Sequence, residues 1–271
     1  MINKHKLTKY GMYLFLSIAA FVSLFPFYWM IVSSTNLSAD ITIGKYTFGS
    51  ALLENFAKLN ELVNLPLIFY NTAKIAIIST LVTLLISSMA GYGFETYKSK
   101  RRDTVYNALL LTMMIPFAAL MIPLFTMMAK AGLLDTHAAV ILPTIATVFI
   151  VFYFRQSTKA FPTELIDAAR VDGVSEWRIF FFIYMPVMKS TYAAAFIIVF
   201  MTAWNNFLWP LIALQSPDLK TINLVLSALA SSYFPDYGVI MVATVVATLP
   251  TLAVFFLMQK QFVAGLTGSV K

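Results

Sequence analysis

Cysteine is absent from the 271 residues, which excludes disulfides and thiolate metal sites. Histidine is nearly absent. His5 and His137 lie far apart, whereas imidazole ligands come in clusters, so no metal centre is expected. Charge is scarce too: Asp, Glu, Lys and Arg make up 11% of the chain, against about a quarter in a soluble domain. No G-x-x-x-x-G-K-[ST] phosphate loop occurs. The glycines and lysine of the Gly265–Lys271 tail have the wrong spacing and no strand before them. Neither a Ser/His/acid constellation nor a catalytic carboxylate pair is visible, so the chain is not expected to be an enzyme. Low-complexity tracts, internal repeats and an insert large enough for a soluble domain are also missing.

What fills the sequence is apolar. Hydrophobic residues reach 60% and mean hydropathy is +0.80, more than one aqueous core can hide, so the bilayer is the solvent this chain is built for. Six stretches are each expected to cross it as helices: 12–33, 70–92, 106–128, 137–154, 184–213 and 237–258. The first follows Lys4, Lys6 and Lys9 as a signal peptide would. Its apolar run is too long for one, and no A-x-A site follows. The fold class expected is therefore an all-α membrane protein with six transmembrane helices.

The net charge of +7 belongs to topology rather than to nucleic acid, because the basic residues cluster beside the apolar runs. With the N-terminus inside, fourteen fall on the cytoplasmic side: Lys4, Lys6, Lys9, Lys98, Lys100, Arg101, Arg102, Arg155, Lys159, Arg170, Arg178, Lys189, Lys260 and Lys271. Five fall outside: Lys45, Lys58, Lys74, Lys130 and Lys220. The asymmetry predicts both termini in the cytoplasm. Tyr10, Tyr28, Trp29, Tyr70, Tyr92, Tyr106, Tyr153 and Trp209 sit near span ends, where an aromatic belt places them. The chain divides into residues 1–69 (tail, first span, outer segment), a core at 70–262 and a cytoplasmic tail at 263–271.

Pro116, Pro123, Pro143, Pro210 and Pro250 interrupt the spans, either as simple kinks or as marks of helices that line a path and move. Asn205 and Asn206 in the fifth span, beside Trp204, Phe207 and Trp209, offer amide hydrogen bonds and aromatic faces. Two readings stand even: contacts to a sugar on its way through, or interhelical hydrogen bonds at a packing surface.

Two connecting segments stand out, the outer one at 34–69 and the inner one at 155–183. In the inner segment Pro162 and Thr163 open a short helix, with Thr163 as N-cap and Glu164 in its first turn. Gly173 stops it in the left-handed region, and Ser175 caps a second helix carrying Glu176. About nine residues are too few for a helix to persist alone in water, so something must hold it. Leu165, Ile166, Ala169 and Val171 form no single clean stripe, while Ala168 and Ala169 remove bulk beside the acids Glu164 and Asp167. That pattern suits docking into a partner's groove better than lying on anionic lipid, with an ordinary folded connector a close second.

Glu164-Leu-Ile-Asp167-Ala168-Ala169-Arg-Val-Asp172-Gly173, nine residues, then Ile183-Tyr-Met185-Pro186 resembles the EAA loop of ABC importer permeases. Asp167 stands for the usual Glu and Met185 for the usual Leu. Asn71-Thr72, Ala90-Gly-Tyr92-Gly-Phe94, Met114-Ile-Pro116, Ile122-Pro123-Leu124, Gly132-Leu-Leu-Asp-Thr136 and Trp204–Pro210 are similar to the carbohydrate-uptake branch. The tail Gly265–Lys271 resembles that of the maltose-G-type partner in two-permease systems, slightly shortened between Thr267 and Gly268.

The resemblance implies a type I ABC importer permease fold with a cytoplasmic coupling helix, placed in a bacterial plasma membrane. It implies a paralogous second permease, a dimer of ATPase subunits and an extracytoplasmic sugar-binding protein, with lipid around the complex and no nucleic acid. This chain would bind no cofactor, and ATP and Mg2+ would be used by the ATPase. Glu164, Asp167, Ala168, Ala169, Asp172, Gly173 and Pro186 would carry mechanical coupling. Trp204, Asn205 and Asn206 would lie along the sugar path. The loop 214–236, with Ser216, Asp218, Lys220 and Tyr233, would face the binding protein. The rival is a secondary transporter driven by H+ or Na+. Such proteins place ionisable groups or broken helices near the midplane, and no charged side chain occupies the middle of a predicted span here.

Overall fold

The structure is a computed structural model that describes residues 4–266, and among them helices account for all the regular structure. In chain order the α-helices are α1 (Lys4–Ser34), α2 (Ser38–Thr42), α3 (Leu52–Leu62), α4 (Leu65–Thr96), α5 (Lys100–Thr112), α6 (Phe117–Lys130), α7 (His137–Ile141) and α8 (Val148–Thr158). Then follow α9 (Glu164–Val171), α10 (Glu176–Ile179), α11 (Met185–Val187), α12 (Lys189–Trp204), α13 (Leu208–Ala213), α14 (Ile222–Ala230) and α15 (Tyr237–Leu266). The tail motif expected at the C-terminus falls from Thr267 onward outside the described residues.

Among the described residues three helices are long and apolar enough to cross a bilayer unbroken, at Thr8–Ser34, Leu65–Thr96 and Tyr237–Lys260. Three more crossings are assembled from bent pairs, which makes up to six. The crossings expected at 106–128, 137–154 and 184–213, with prolines interrupting them, are bent pairs rather than single helices. α5 and α6 meet at 101°, where Pro116 withholds the N–H that would continue the ladder. A 3-10 turn at Leu142–Thr144, with Pro143 in it, bends the fourth crossing by 41°. The fifth bends by 81° at Met188, just after a π-helical turn at Phe180–Tyr184, and stops at Asn205 before α13. Pro123 and Pro250, by contrast, sit inside continuous helices. The outer segment 34–69 is not a plain connector either, since α2 and α3 lie within it.

The chain forms two compact units. One comprises residues 1–65 and 225–249. Its polar knot lies at the end of α1: the Asn55 amide donates to the carbonyls of Ser34 at 3.0 Å and Asn36 at 2.9 Å, and the Asn36 amide donates to Val32 and Thr47, both at 2.9 Å. The carbonyl of Ser34, the last residue of α1, thereby gains a partner that the helix does not itself supply. The Asp236 carboxylate accepts from the backbone N–H of Gly238 and Val239 and from the Ser38 hydroxyl, closing the start of α15.

The second unit comprises residues 66–224 and 250–271. α4 is its axis. Gly91 on α4 lets α8 approach so closely that a Cβ there would lie 2.7 Å from the Phe154 Cβ and 2.8 Å from the Arg155 nitrogen. At one end Asn71 donates to the Asp218 carbonyl at 2.7 Å and the Thr72 hydroxyl accepts from the Ile222 N–H, pinning the segment after α13. Nearby Trp209 is fully buried and donates from its indole to the Ala139 carbonyl. Asp135 takes a positive φ of 57°, and its carboxylate accepts from the backbone N–H of Gln215 and Ser216 and from the Ser216 hydroxyl. The Ser216 hydroxyl first, then those two N–H groups, hold this carboxyl below the usual range.

Candidate functional site

Two features of the second unit carry chemistry: the helix α9 and a cavity lined by hydroxyls. α9 keeps one face in its own chain. Ile166 and Ala169 are buried with Phe161, Ile179, Phe180, Tyr184 and Met188 in one apolar cluster. Tyr92 belongs to the same cluster and packs its ring on Tyr184 at 4.8 Å. Glu164, Leu165, Asp167, Ala168, Val171, Asp172 and Gly173 are exposed, with Val171 88% open. Of the expected coupling residues, then, Ala169 serves the anchor, while Glu164, Asp167, Ala168, Asp172 and Gly173 form the free face. Pro186 lies apart, exposed beside the π-helical turn.

The ends of α9 differ in part from expectation. Thr163 precedes the helix, but it is itself helical and its side chain caps nothing; the Thr163 carbonyl accepts from Ile166 and Asp167 instead. Ser175 precedes α10, also without a side-chain cap bond. Gly173 is left-handed, with φ +75°, as its place requires. Val174 N–H bonds to the Ala169 carbonyl at 2.9 Å and Gly173 N–H to the Arg170 carbonyl at 3.0 Å, which is the Schellman closure.

Across that turn runs an ion pair that the sequence reading passed over. Arg170 donates through Nε to Glu176 Oε1 at 2.7 Å and through a terminal nitrogen to Oε2 at 3.3 Å. It also reaches Asp167 at 3.5 Å and lies 5.5 Å from the centre of the Tyr97 ring. The Tyr97 hydroxyl, just past α4, donates to the same Glu176 carboxylate, and Tyr92 reaches it at 3.4 Å. Arg170's hydrogen bonds hold the Glu176 carboxyl below its usual range despite partial burial, and Glu176 in turn raises the Arg170 guanidinium. Burial first, and the carboxylate next, push the Tyr97 phenol up. A second ion cluster adjoins the first. Arg155 of α8 bonds Asp103 of α5 at 2.7 Å and Glu95 of α4 at 3.4 Å, over the Tyr106 ring at 3.9 Å. The signal that could have revealed the first pair is an arginine and a glutamate flanking a Gly-stopped helix, six residues apart.

Magnitudes decide which contact holds α9. Burying an Ile side chain stabilises by about 1.5–3 kcal/mol, whereas a half-exposed ion pair contributes about 0–1 kcal/mol once solvent screening is counted. Ile166 keeps the helix docked. Arg170 and Glu176 set the direction in which it points.

The cavity, of about 210 Å³, lies among α4, α7, α8 and α12. Its polar wall is Ser79, Thr83, Thr144, Thr147, Thr202 and Asn206, with no charged group, and its apolar wall includes Phe149 and Ile150. Most of the hydroxyl protons are committed inward: Thr83 and Thr147 donate to the Thr144 carbonyl, Thr144 to that of Ile141 and Thr202 to that of Ile198. Their lone pairs remain for a solute. The three expected pathway residues separate. Asn206 lines this cavity. Asn205 is exposed and donates back to the Met201 carbonyl at 2.9 Å. Trp204 is buried between Phe69 and Phe200, and its carbonyl accepts from the Asn223 amide.

Residues 83–268 match the family of binding-protein-dependent transport system inner membrane components. The chain is 62% identical to the lactose transport system permease protein LacG of Rhizobium radiobacter, covering 96% of this chain and 95% of that one. It is 38% identical to the arabinooligosaccharides transport system permease protein AraQ of Halalkalibacterium halodurans, over 93% and 92%. Its fold matches a chain in the crystal structure of a bacterial ABC transporter involved in the import of the acidic polysaccharide alginate. There the TM-score is 0.85 and the identity 19%, over 97% of this chain and 99% of that one.

Proposed function

Since this chain belongs to the family of binding-protein-dependent transport system inner membrane components, we propose that it forms half of the translocation path of an ATP-driven importer for a neutral di- or oligosaccharide. It is a transport subunit and not a catalytic one. The observation that carries the coupling role is the division of α9, anchored through Ile166 and Ala169 and presenting Glu164, Asp167, Ala168 and Asp172 outward. A short, docked helix whose outer face sets the acids Glu164, Asp167 and Asp172 beside Ala168 and the exposed apolar Leu165 and Val171 is suited to a groove in an ATPase subunit. Closure of the ATPase dimer, which binds ATP and Mg2+, then moves α9 together with the core beneath it. A second, paralogous permease completes the path, and an extracytoplasmic binding protein delivers the sugar.

The uncharged cavity supports the solute class. Sugar hydroxyls can donate to the lone pairs of Thr83, Thr144, Thr147 and Thr202, Asn206 can both donate and accept, and Phe149 offers an apolar face. A phosphorylated or carboxylated solute would want an Arg or Lys there. The name of the lactose relative and the identity to it make lactose the first solute to try.

The test is reconstitution of the full complex in vesicles with ATP inside and a lactose-loaded binding protein outside. Loaded binding protein should stimulate ATP turnover and drive uptake. Asp167→Lys and Gly173→Trp should leave the complex assembled but separate ATP turnover from uptake; normal coupling in both variants overturns the role given to α9. Both termini lie in the cytoplasm on this reading. In the naturally cysteine-free chain, Arg101→Cys should then react with a charged maleimide only after the cells are opened, and Tyr233→Cys in intact cells. The opposite pattern reverses the topology.

A further inference from the structure

The triad of Arg170, Glu176 and Tyr97 has no part in binding solute or in the free face of α9, yet it joins three separate elements. Arg170 ends α9, Glu176 starts α10, and Tyr97 follows the last residue of α4, the axis of the unit. We propose that this triad is a positioning latch, which fixes the angle of α9 against the end of α4 so that a push on α9 travels into the core. The inference rests on the coupling role given to α9 above.

The geometry favours transmission over simple adhesion. The apolar anchor consists of two inward side chains, Ile166 and Ala169, three residues apart on one short helix. Such a contact line resists lifting but leaves α9 free to rock about it. The Arg170–Glu176 fork lies off that line and is bidentate, so it opposes rocking through two bonds of fixed geometry. The Tyr97 hydroxyl then ties the same carboxylate to α4, and Arg102 of α5 donates to the Tyr97 carbonyl while covering its ring at 5.3 Å. The path from the free face to the first two core helices thus passes through Arg170, Glu176, Tyr97 and Arg102. Asp167, on the free face, also touches Arg170 at 3.5 Å, so contact made by a partner at Asp167 is felt directly by the latch.

The role predicts a split between rates. In the reconstituted complex, Glu176→Gln, Glu176→Ala and Arg170→Lys should assemble, retain ATP turnover and respond to the same concentration of loaded binding protein as the parent. Sugar moved per ATP hydrolysed should fall by about two- to fivefold in Glu176→Ala and Arg170→Lys, as expected for loss of a half-exposed, charge-assisted pair. Glu176→Gln, which keeps the shape and the acceptor oxygen, should fall less. Tyr97→Phe keeps the ring beneath Arg170 and loses only the hydroxyl, so it should lower the ratio without altering ATP turnover. A pair of spin labels, on Asp172→Cys and Arg101→Cys, supplies the structural readout: the distance distribution between them should broaden in Glu176→Ala and stay narrow in the parent. An unchanged transport-to-ATP ratio in both Glu176→Ala and Arg170→Lys overturns the latch. A parent complex whose ATP turnover ignores the loaded binding protein overturns instead the importer reading on which it stands.

Discussion

At the residue scale, two neighbouring glycines on α4 make opposite demands. A Cβ at Gly91 would meet the α8 backbone, whereas one at Gly93 would meet nothing within 4 Å. Gly91→Ala should therefore lower stability by about 1–3 kcal/mol through overpacking. Gly93→Ala should be neutral or stabilising by about 0.5–1 kcal/mol through helix propensity. Thermal unfolding of the detergent-solubilised complex measures both. Protons give a second expectation. The carboxyl of Glu176 is held below its ordinary value near 4.5, so the latch contributes fully above that pH and is lost only as pH falls through the lower folded value. Stability should therefore not change through Glu176 between pH 5 and pH 8 in the parent (a window about as wide as most assays use). Below it, the Glu176→Gln variant should show a shallower loss of melting temperature than the parent.

At the scale of elements, α9 was legible and its anchor was not. Its position, its glycine stop and its acidic outer face follow from the order Glu164, Asp167, Asp172, Gly173. Which alanine faces inward depends on helical phase, and phase is set by packing against Phe161 and Tyr184, outside the helix, so Ala168 and Ala169 look alike in the sequence and part company in space. The span breaks behaved likewise. Pro116 and Pro123 are equal as letters, yet only the first marks a sharp turn, because the chain beyond it packs in a new direction. Hydropathy finds the apolar length of a crossing and is silent on its angle. Ile166→Ala should release α9: loss of a buried aliphatic side chain costs about 2–5 kcal/mol, here charged to a local unit. Hydrogen exchange of amides 164–174 should accelerate in that variant and remain unchanged in Leu165→Ala, whose side chain is already 43% exposed.

At the scale of the molecule, composition alone was enough for the solvent, since 60% apolar residues leave no other home for 271 positions. The chain nevertheless leaves long surfaces for others to cover. Phe15, Phe21 and Leu24 on α1 are each at least 64% exposed. Single cysteines at Phe21 and at Tyr233 should separate by reactivity: the first refusing a charged maleimide until detergent dissolves the membrane, because a thiol in hydrocarbon does not ionise, the second accepting it at once. Reaction of Phe21→Cys with the charged reagent before detergent would remove α1 from the hydrocarbon.

The right-angle turn between α5 and α6 bears on the life of the chain before assembly. At Met113, Met114 and Ile115 the N–H groups bond three residues back, to the carbonyls of Leu110, Leu111 and Thr112, instead of four, and Met114 is 80% open. Hydrocarbon does not tolerate such backbone unless protein or water stands beside it. A newly inserted copy with no companion would be a damaged-looking object to the membrane's proteases, and its half-life should lengthen severalfold when its partner permease is co-expressed. Supply of one subunit would then be governed by supply of the other, through one exposed corner of the chain.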